Sequence, residues 1–423
     1  MNEDFLQYVW KHKMFSKVDF KTTDNENLTI LKSGLHNKNA GPDFLNAQLK
    51  IEDQIWVGNV EIHLKSSDWY LHNHEIDANY DAVILHVVWE NDAVVFMKNN
   101  KPIPTLILKD AVHKGVLNNY RNLFSMPTKW IPCQNTIATI DEFTFDNWKE
   151  RLFFERLERK SGEITILLAQ EKNNFEAVLF QLLAKNFGLK VNGDSFLRLV
   201  QSIDFSILQK TSFDAHQFSA LLFGQAGFLE GEVEDAYHHQ LKTTYKYLSH
   251  KYKLQPIPNK QFSFFRMRPN NFPTIRIAQL VSLFHKHQNL FSKLIAIQDL
   301  KDFYVLFSVE IPLFWKTHYN FESISKSSPK KLTKSFVDLL IINTIIPLKF
   351  LYQKSSQEID EEFFLEILKK MKPEKNNIIS KFSDIGVAAK NALETQALLE
   401  LKNNYCAPKR CLECAIGSSI LKR

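Results

Sequence analysis

The spacing of apolar and polar positions changes character near residue 140. Before that point short alternating runs dominate. Within residues 44–51, Leu45, Ala47, Leu49 and Ile51 alternate with mostly polar neighbours, the period-two signature of a half-buried strand. Glu52 and Asp53 supply a tight turn into residues 55–65, so the two runs predict a hairpin. Residues 28–31 predict a shorter strand before them. Residues 82–89 are almost continuously apolar, as a strand buried on both faces requires. Residues 94–97 and 103–108 predict further strands, the second at a sheet edge because Pro102 and Pro104 cannot donate to a ladder. Residues 3–14 have helical spacing, and residues 68–80 read as a short helix or ordered loop. The predicted order is α, β, β, β, α, β.

Beyond residue 140 the period is helical, over residues 147–170, 175–187, 195–203, 216–223, 232–252, 273–297, 331–352, 360–371 and 387–404. Gly188 follows the second of these and suits a left-handed cap. The loop 125–140, with Pro127 and Pro132, is the best boundary, and 325–331 is a weaker one. The expected fold class is α+β: an α/β domain of αβββαβ order over residues 1–125, a linker over 126–140, and a larger all-α domain over 141–423 that carries a C-terminal cysteine cluster. No repeat or low-complexity tract interrupts this plan.

Composition excludes several classes. With 423 residues, 44% apolar and 13% aromatic, the chain has ample core for two or three domains and is not disordered. The start lacks the pattern of a secretory signal. The longest apolar run, 336–352, contains Asp338, Pro347 and Lys349 and predicts a buried helix rather than a membrane span. Four cysteines are too few for a disulfide scaffold, so a cytoplasmic protein without a membrane partner is expected. Charge is uneven: the first 130 residues carry a balance of −2 and the rest +8. A basic body with a locally acidic site suits a phosphate backbone and a divalent cation.

The acidic candidates are specific. Asp43 opens the second strand after Pro42, and Glu61, His63 and Lys65 close the third on one face, since alternate strand residues point the same way. Paired as a hairpin, the strands bring Asp43 beside Glu61. Two carboxylates with an adjacent cation form a hard-oxygen site for Mg²⁺ or Mn²⁺, with His63 or Lys65 orienting a water or stabilising developing charge. In the plainer alternative Asp43 caps a turn and Glu61 pairs with Lys65 on a solvated face. Five of the fourteen histidines also fall here: His36, His63, His72, His74 and His86. His72 and His74 share a face in an extended segment, where they could ligate a transition metal, contact substrate or support Glu61; in a helix they diverge. His86, inside the apolar strand, reads as a core residue.

The order αβββαβ, with Pro-Asp opening one strand and Glu-x-His closing the next, resembles the PD-(D/E)XK nuclease superfamily. The resemblance covers about residues 1–110 and implies a restriction-endonuclease-like core in which Asp43 and Glu61 hold the metal. His63 stands where that family has lysine, and Lys65 follows two residues later. Taken whole, the stretches NAGPDFLNA, GNVEIHLKSSDW and RPNNFPTIRIAQL are similar to an uncharacterised bacterial family of unknown function.

Cys406, Cys411 and Cys414 cluster near the chain end, while Cys133 is remote. Thiolates at such spacing suit a soft or borderline metal. One distant and three clustered cysteines are similar to the iron–sulfur pin of some RecB-like nucleases, although there the lone cysteine precedes the core. A 4Fe–4S iron–sulfur cluster, Zn²⁺ and reduced structural cysteines are the readings. Arg266, Arg268 and Arg276 gather with phenylalanines around a predicted helix start, where they could grip phosphate and stack on bases, or pair with acidic helices instead. GxxxxGK(S/T), G-x-S-x-G and HExxH are absent, which disfavours P-loop NTPases, serine esterases and thermolysin-like proteases. The leading expectation is a metal-dependent phosphodiesterase acting on DNA or RNA. The alternatives are a nucleic-acid or protein binding module without turnover, and a different hydrolase built on His72 and His74.

Overall fold

The structure, a computed structural model, describes residues 1–16, 19–124 and 129–423. The chain opens with helix α1 (Glu3–Lys11), followed by strands β1 (Phe20–Lys21), β2 (Asn27–Lys32), β3 (Leu35–His36), β4 (Phe44–Ile51) and β5 (Gln54–Lys65). Helix α2 (Asp68–Leu71), a turn of 3-10 helix at Ala78–Tyr80, strand β6 (Val83–Glu90), strand β7 (Thr105–Ile107) and helix α3 (Lys114–Phe124) come next. The sheet runs β1-β2-β4-β5-β6-β7, with β3 paired to β4 off that path. Pairings from β1 to β5 are antiparallel, whereas β6 runs parallel to β5 and β7 parallel to β6.

Two units divide the chain. The first comprises Met1–Lys149, Lys375–Ala388 and Leu398–Arg423; the second comprises Glu150–Glu374 and Ala389–Ala397. This differs from the expected division into 1–125 and 141–423, because the C-terminal segment with its cysteines belongs to the unit that holds the sheet. Residues 125 and 126, where the α/β domain was expected to end and the linker to start, lie outside the described residues.

In the first unit α1 drives Phe5, Leu6, Val9 and Trp10 into a core with Phe44, Leu49, Val60, Ile62, Leu85 and Val87. Full burial of each such side chain contributes about 1.5–3 kcal/mol. Along β5 the alternation sends Val60 and Ile62 into this core, and Glu61 and His63 therefore point to the opposite face. The β4 reading needs one correction. A bulge between Phe44 and Ala47, with Asn46 at φ +56, shifts the register, so Phe44 rather than Leu45 joins Ala47, Leu49 and Ile51 in the interior. Residues 94–97 are no strand: Phe96 makes a single bridge to Pro102. Helix α3 was not evident in the pattern, because Gly115 and three asparagines dilute the apolar positions Val116, Tyr120 and Leu123.

The second unit is helical. Several of its helices are capped by side chains that accept backbone N–H groups, among them Asn174, Asp204, Asp214, Asp235 and Asp360. Phenylalanines dominate the core, with Phe180 against Phe284 and Phe187 against Phe336 edge to face. Gly188 is right-handed at φ −67, and the left-handed residue is Leu189. The expected helix 273–297 is two, Pro273–Lys286 and Leu290–Ala296. The apolar run 336–352 lies in a continuous helix, Lys334–Ser356, long and apolar enough by length and composition to cross a membrane, yet 67% of its apolar window is buried inside the fold. A π-helical stretch, Ile341–Ile345, precedes Pro347, and Lys349 donates to the Ile297 carbonyl at 2.7 Å beneath the Phe363 ring.

Candidate functional site

The loop before β4 is built to deliver Asp43. Gly41 adopts φ +101, a left-handed conformation that favours glycine, and Pro42 follows it. Asn37 closes the loop: its N–H donates to the Asp43 carbonyl at 2.7 Å and its side chain to the Pro42 carbonyl at 3.0 Å. Asp43 and Glu61 then engage each other's strands reciprocally. The Asp43 N–H donates to Glu61 Oε2 at 3.0 Å, and the Ile62 N–H donates to Asp43 Oδ2 at 3.1 Å. Asp43 Oδ1 accepts from Gln7 at 2.8 Å, and Gln7 Oε1 lies 3.4 Å from His36 Nε2. Each of the two carboxylates thus accepts a backbone N–H at or next to the other residue.

Glu61 Oε1 remains turned toward histidines. It lies 3.5 Å from His63 Nε2 and 3.4 Å from His74 Nε2. His63 Nε2 lies 3.1 Å from His72 Nδ1. One ring nitrogen from each of His63, His72 and His74 falls within 4.8 Å of the others, the span that one ion could bridge. The segment after β5 explains the convergence. Asp92 ties down Ser66 and Ser67 through both hydroxyls and the Ser67 N–H, and the Lys65 N–H donates to Asp68, so α2 starts at once. His72 follows α2, Asn73 turns left-handed at φ +60, and the His74 N–H returns to the Trp69 carbonyl at 3.0 Å. His74 is thereby held between Tyr80, stacked at 3.7 Å, and His63 at 5.3 Å. The two histidines neither share an extended face nor diverge on a helix; a left-handed turn gathers them.

Residues 3–377 match the model of a family described as "Protein of unknown function (DUF2851)". The chain belongs to the DUF2851 family. No curated protein and no solved structure matches it.

Burial dominates the electrostatics of the site in this DUF2851 protein. Burial, and next the charge of Glu61, raise the Asp43 carboxyl well above the usual range; burial, with a smaller push from Glu3, does the same to Glu61. Such carboxyls ionise readily only beside added positive charge. His63 is 1% exposed, and burial followed by its histidine neighbours pushes it down to about 2. Its imidazole is neutral and offers a lone pair rather than a charge. With Nε2 as a ligand atom, His63 Nδ1 carries the proton and donates to His86 Nε2 at 2.9 Å. His86 is fully buried, as expected of a core residue, and its Nδ1 has no partner among the described residues. His72 is exposed, which leaves one side of the group open to solvent.

The other expected residues are placed differently. Lys65 is exposed at the end of β5, away from the buried character of Glu61 and His63. Arg276 is 6% exposed, donates to Gln279 and Asn271, and lies 3.6 Å from the Phe336 ring centre, so its guanidinium is engaged within the fold. Arg266 and Arg268 are exposed, the former over the Phe265 ring at 5.0 Å. Two contributors went unread in the sequence: Gln7, which holds Asp43, and Glu3, whose charge is felt at both carboxyls. Their spacing of four residues on one helix face was the available signal.

Proposed function

We propose that this protein is a metal-dependent phosphodiesterase acting on DNA or RNA, built on the restriction-endonuclease-like core that its motif resembles. The observation that carries the reading is the reciprocal engagement of Asp43 and Glu61 at adjoining ends of antiparallel strands, with three histidines converging on Glu61. The order α1, β2, β4, β5, α2, β6, three antiparallel strands and then one parallel to β5, supports the resemblance. The donor set fits a divalent cation: Asp43 and Glu61 supply oxygens, while His63, His72 and His74 supply nitrogens, a mixture that favours Mn²⁺ or another first-row ion over Mg²⁺. When bound, the ion would neutralise a phosphoryl oxygen and lower the pKa of a coordinated water. Gln7 holds the Asp43 carboxylate, Tyr80 and His63 flank the His74 ring, and His86 Nε2 shares a hydrogen bond with His63 Nδ1.

The direct test incubates the purified protein with single- and double-stranded DNA and RNA. Cleavage is expected with Mn²⁺, more slowly with Mg²⁺, and not in EDTA. Cleavage that persists in EDTA would sink the metal assignment, and none under any condition would leave a binding module without turnover.

Arg266 and Arg268 are two exposed arginines in the second unit, and we propose a phosphate contact there. Arg266→Gln and Arg268→Gln are each expected to weaken nucleic-acid binding and to reduce the slope of log K against log salt by about one. An unchanged slope in a filter-binding titration would return both residues to solvent.

A further inference from the structure

We propose that Cys133, Cys406, Cys411 and Cys414 together hold a thiolate-ligated metal centre in the first unit, separate from the carboxylate–histidine site. The chain has four cysteines in 423 residues, and all four are buried and line one pocket. Their exposures are only 7–8%. Four thiols scattered for packing alone would have no reason to share one cavity, since a buried thiol behaves as a small apolar side chain that any core accepts.

The backbone around them is shaped for the meeting. Cys133 sits in a turn whose carbonyl accepts from the Thr136 and Ile137 N–H groups, both at 2.9 Å. Cys406 ends a π-helical stretch, Leu401–Cys406, and Lys409 at φ +61 reverses the chain so that the Arg410 N–H reaches the Tyr405 carbonyl at 2.8 Å. A single 3-10 turn, Cys411–Glu413, then presents Cys411 and Cys414. Gly417 allows the following helix to lie on that turn: a Cβ there would stand 2.0 Å from the Cys411 carbonyl oxygen. Links free of sulfur bring the two segments together independently. Lys402 donates to the Trp130 carbonyl at 3.2 Å, and Arg423 donates to the Thr139 hydroxyl at 2.7 Å.

Chemistry narrows the occupant. Thiolates select soft or borderline metals, so the site would take Zn²⁺ or an iron–sulfur cluster and not the hard ions suited to carboxylates. The thiolate, not the thiol, is the metal-binding form of cysteine, so binding displaces the thiol protons. A metal is what would draw the protons off, and its binding would add to the stability of the folded chain.

The test measures metal in protein purified without oxygen. Either about one zinc in a colourless protein, or about four irons with a broad band near roughly 400 nm, is expected. Cys133→Ser and Cys411→Ser should each lose that metal and melt at lower temperature, while His72→Ala/His74→Ala keeps it. Should a serine variant fail to fold, titration of the wild type with p-hydroxymercuribenzoate decides: metal released in step with the thiols supports the centre. Thiols that react without releasing metal overturn it. So does metal retained in full by folded serine variants, or wild type that holds no metal even after anaerobic incubation with Zn²⁺ or with ferrous iron and sulfide.

Discussion

Asp43→Asn and Glu61→Gln are each expected to lower Mn²⁺-dependent cleavage by a factor on the order of 10³, with far-UV circular dichroism and melting close to wild type. The two halves of that expectation have separate causes. Activity falls because each amide removes one negative charge from the pair that would hold the cation. The fold survives because burial already disfavours the ionised form of both carboxyls, so a neutral isostere imposes no new desolvation. The Asn side chain retains one acceptor oxygen for the Ile62 N–H, and the Gln side chain one for the Asp43 N–H. Mn²⁺ titration by calorimetry should show weaker binding in both variants. Cleavage at wild-type rate in either would remove that carboxylate from the chemistry. Lost activity with undiminished Mn²⁺ binding would move the metal elsewhere and leave the carboxylates a structural task.

The parts of the fold that local pattern controls were legible. Alternation over residues 47–51 and the apolar run of β6 both lie where the period placed them, because burial on one or two faces writes itself directly into residue choice. What escaped depends on partners distant in sequence. The bulge at Asn46 is held by an N–H bond to the Asn59 side chain at 3.2 Å, which no reading of residues 44–51 alone would find. Strands of two residues, β1 and β3, are too short to show a period. The return of residues 398–423 to the sheet unit leaves no local trace beyond the cysteines themselves.

The site divides in the same way. Asp43 and Glu61 were visible because their spacing suits a hairpin, and a hairpin's geometry follows from its turn. His74 was ambiguous because its position depends on a left-handed Asn73, a conformation asparagine tolerates but does not announce. Arg276 misled because charge normally argues for the surface; here an aromatic face and two side-chain acceptors replace water around the guanidinium.

His63→Ala is expected to lose cleavage by about 10²-fold or more, whereas Lys65→Ala should cost less than about tenfold. The contrast follows from placement. His63 is buried against Glu61, with its second nitrogen anchored by His86, while Lys65 stands exposed at the strand end. His63→Lys separates two meanings of the position. Were a positive charge what the chemistry needs there, lysine would restore activity, as it stands at this place in the PD-(D/E)XK pattern. Because the imidazole is neutral and contributes a lone pair, an ammonium beside His72 and His74 should instead repel the cation and abolish cleavage. Mn²⁺ affinity should fall in His63→Ala and His63→Lys and stay unchanged in Lys65→Ala. Active His63→Lys protein, or a Lys65→Ala defect as deep as that of His63→Ala, would hand the cationic role back to the strand and take His63 out of the ligand set.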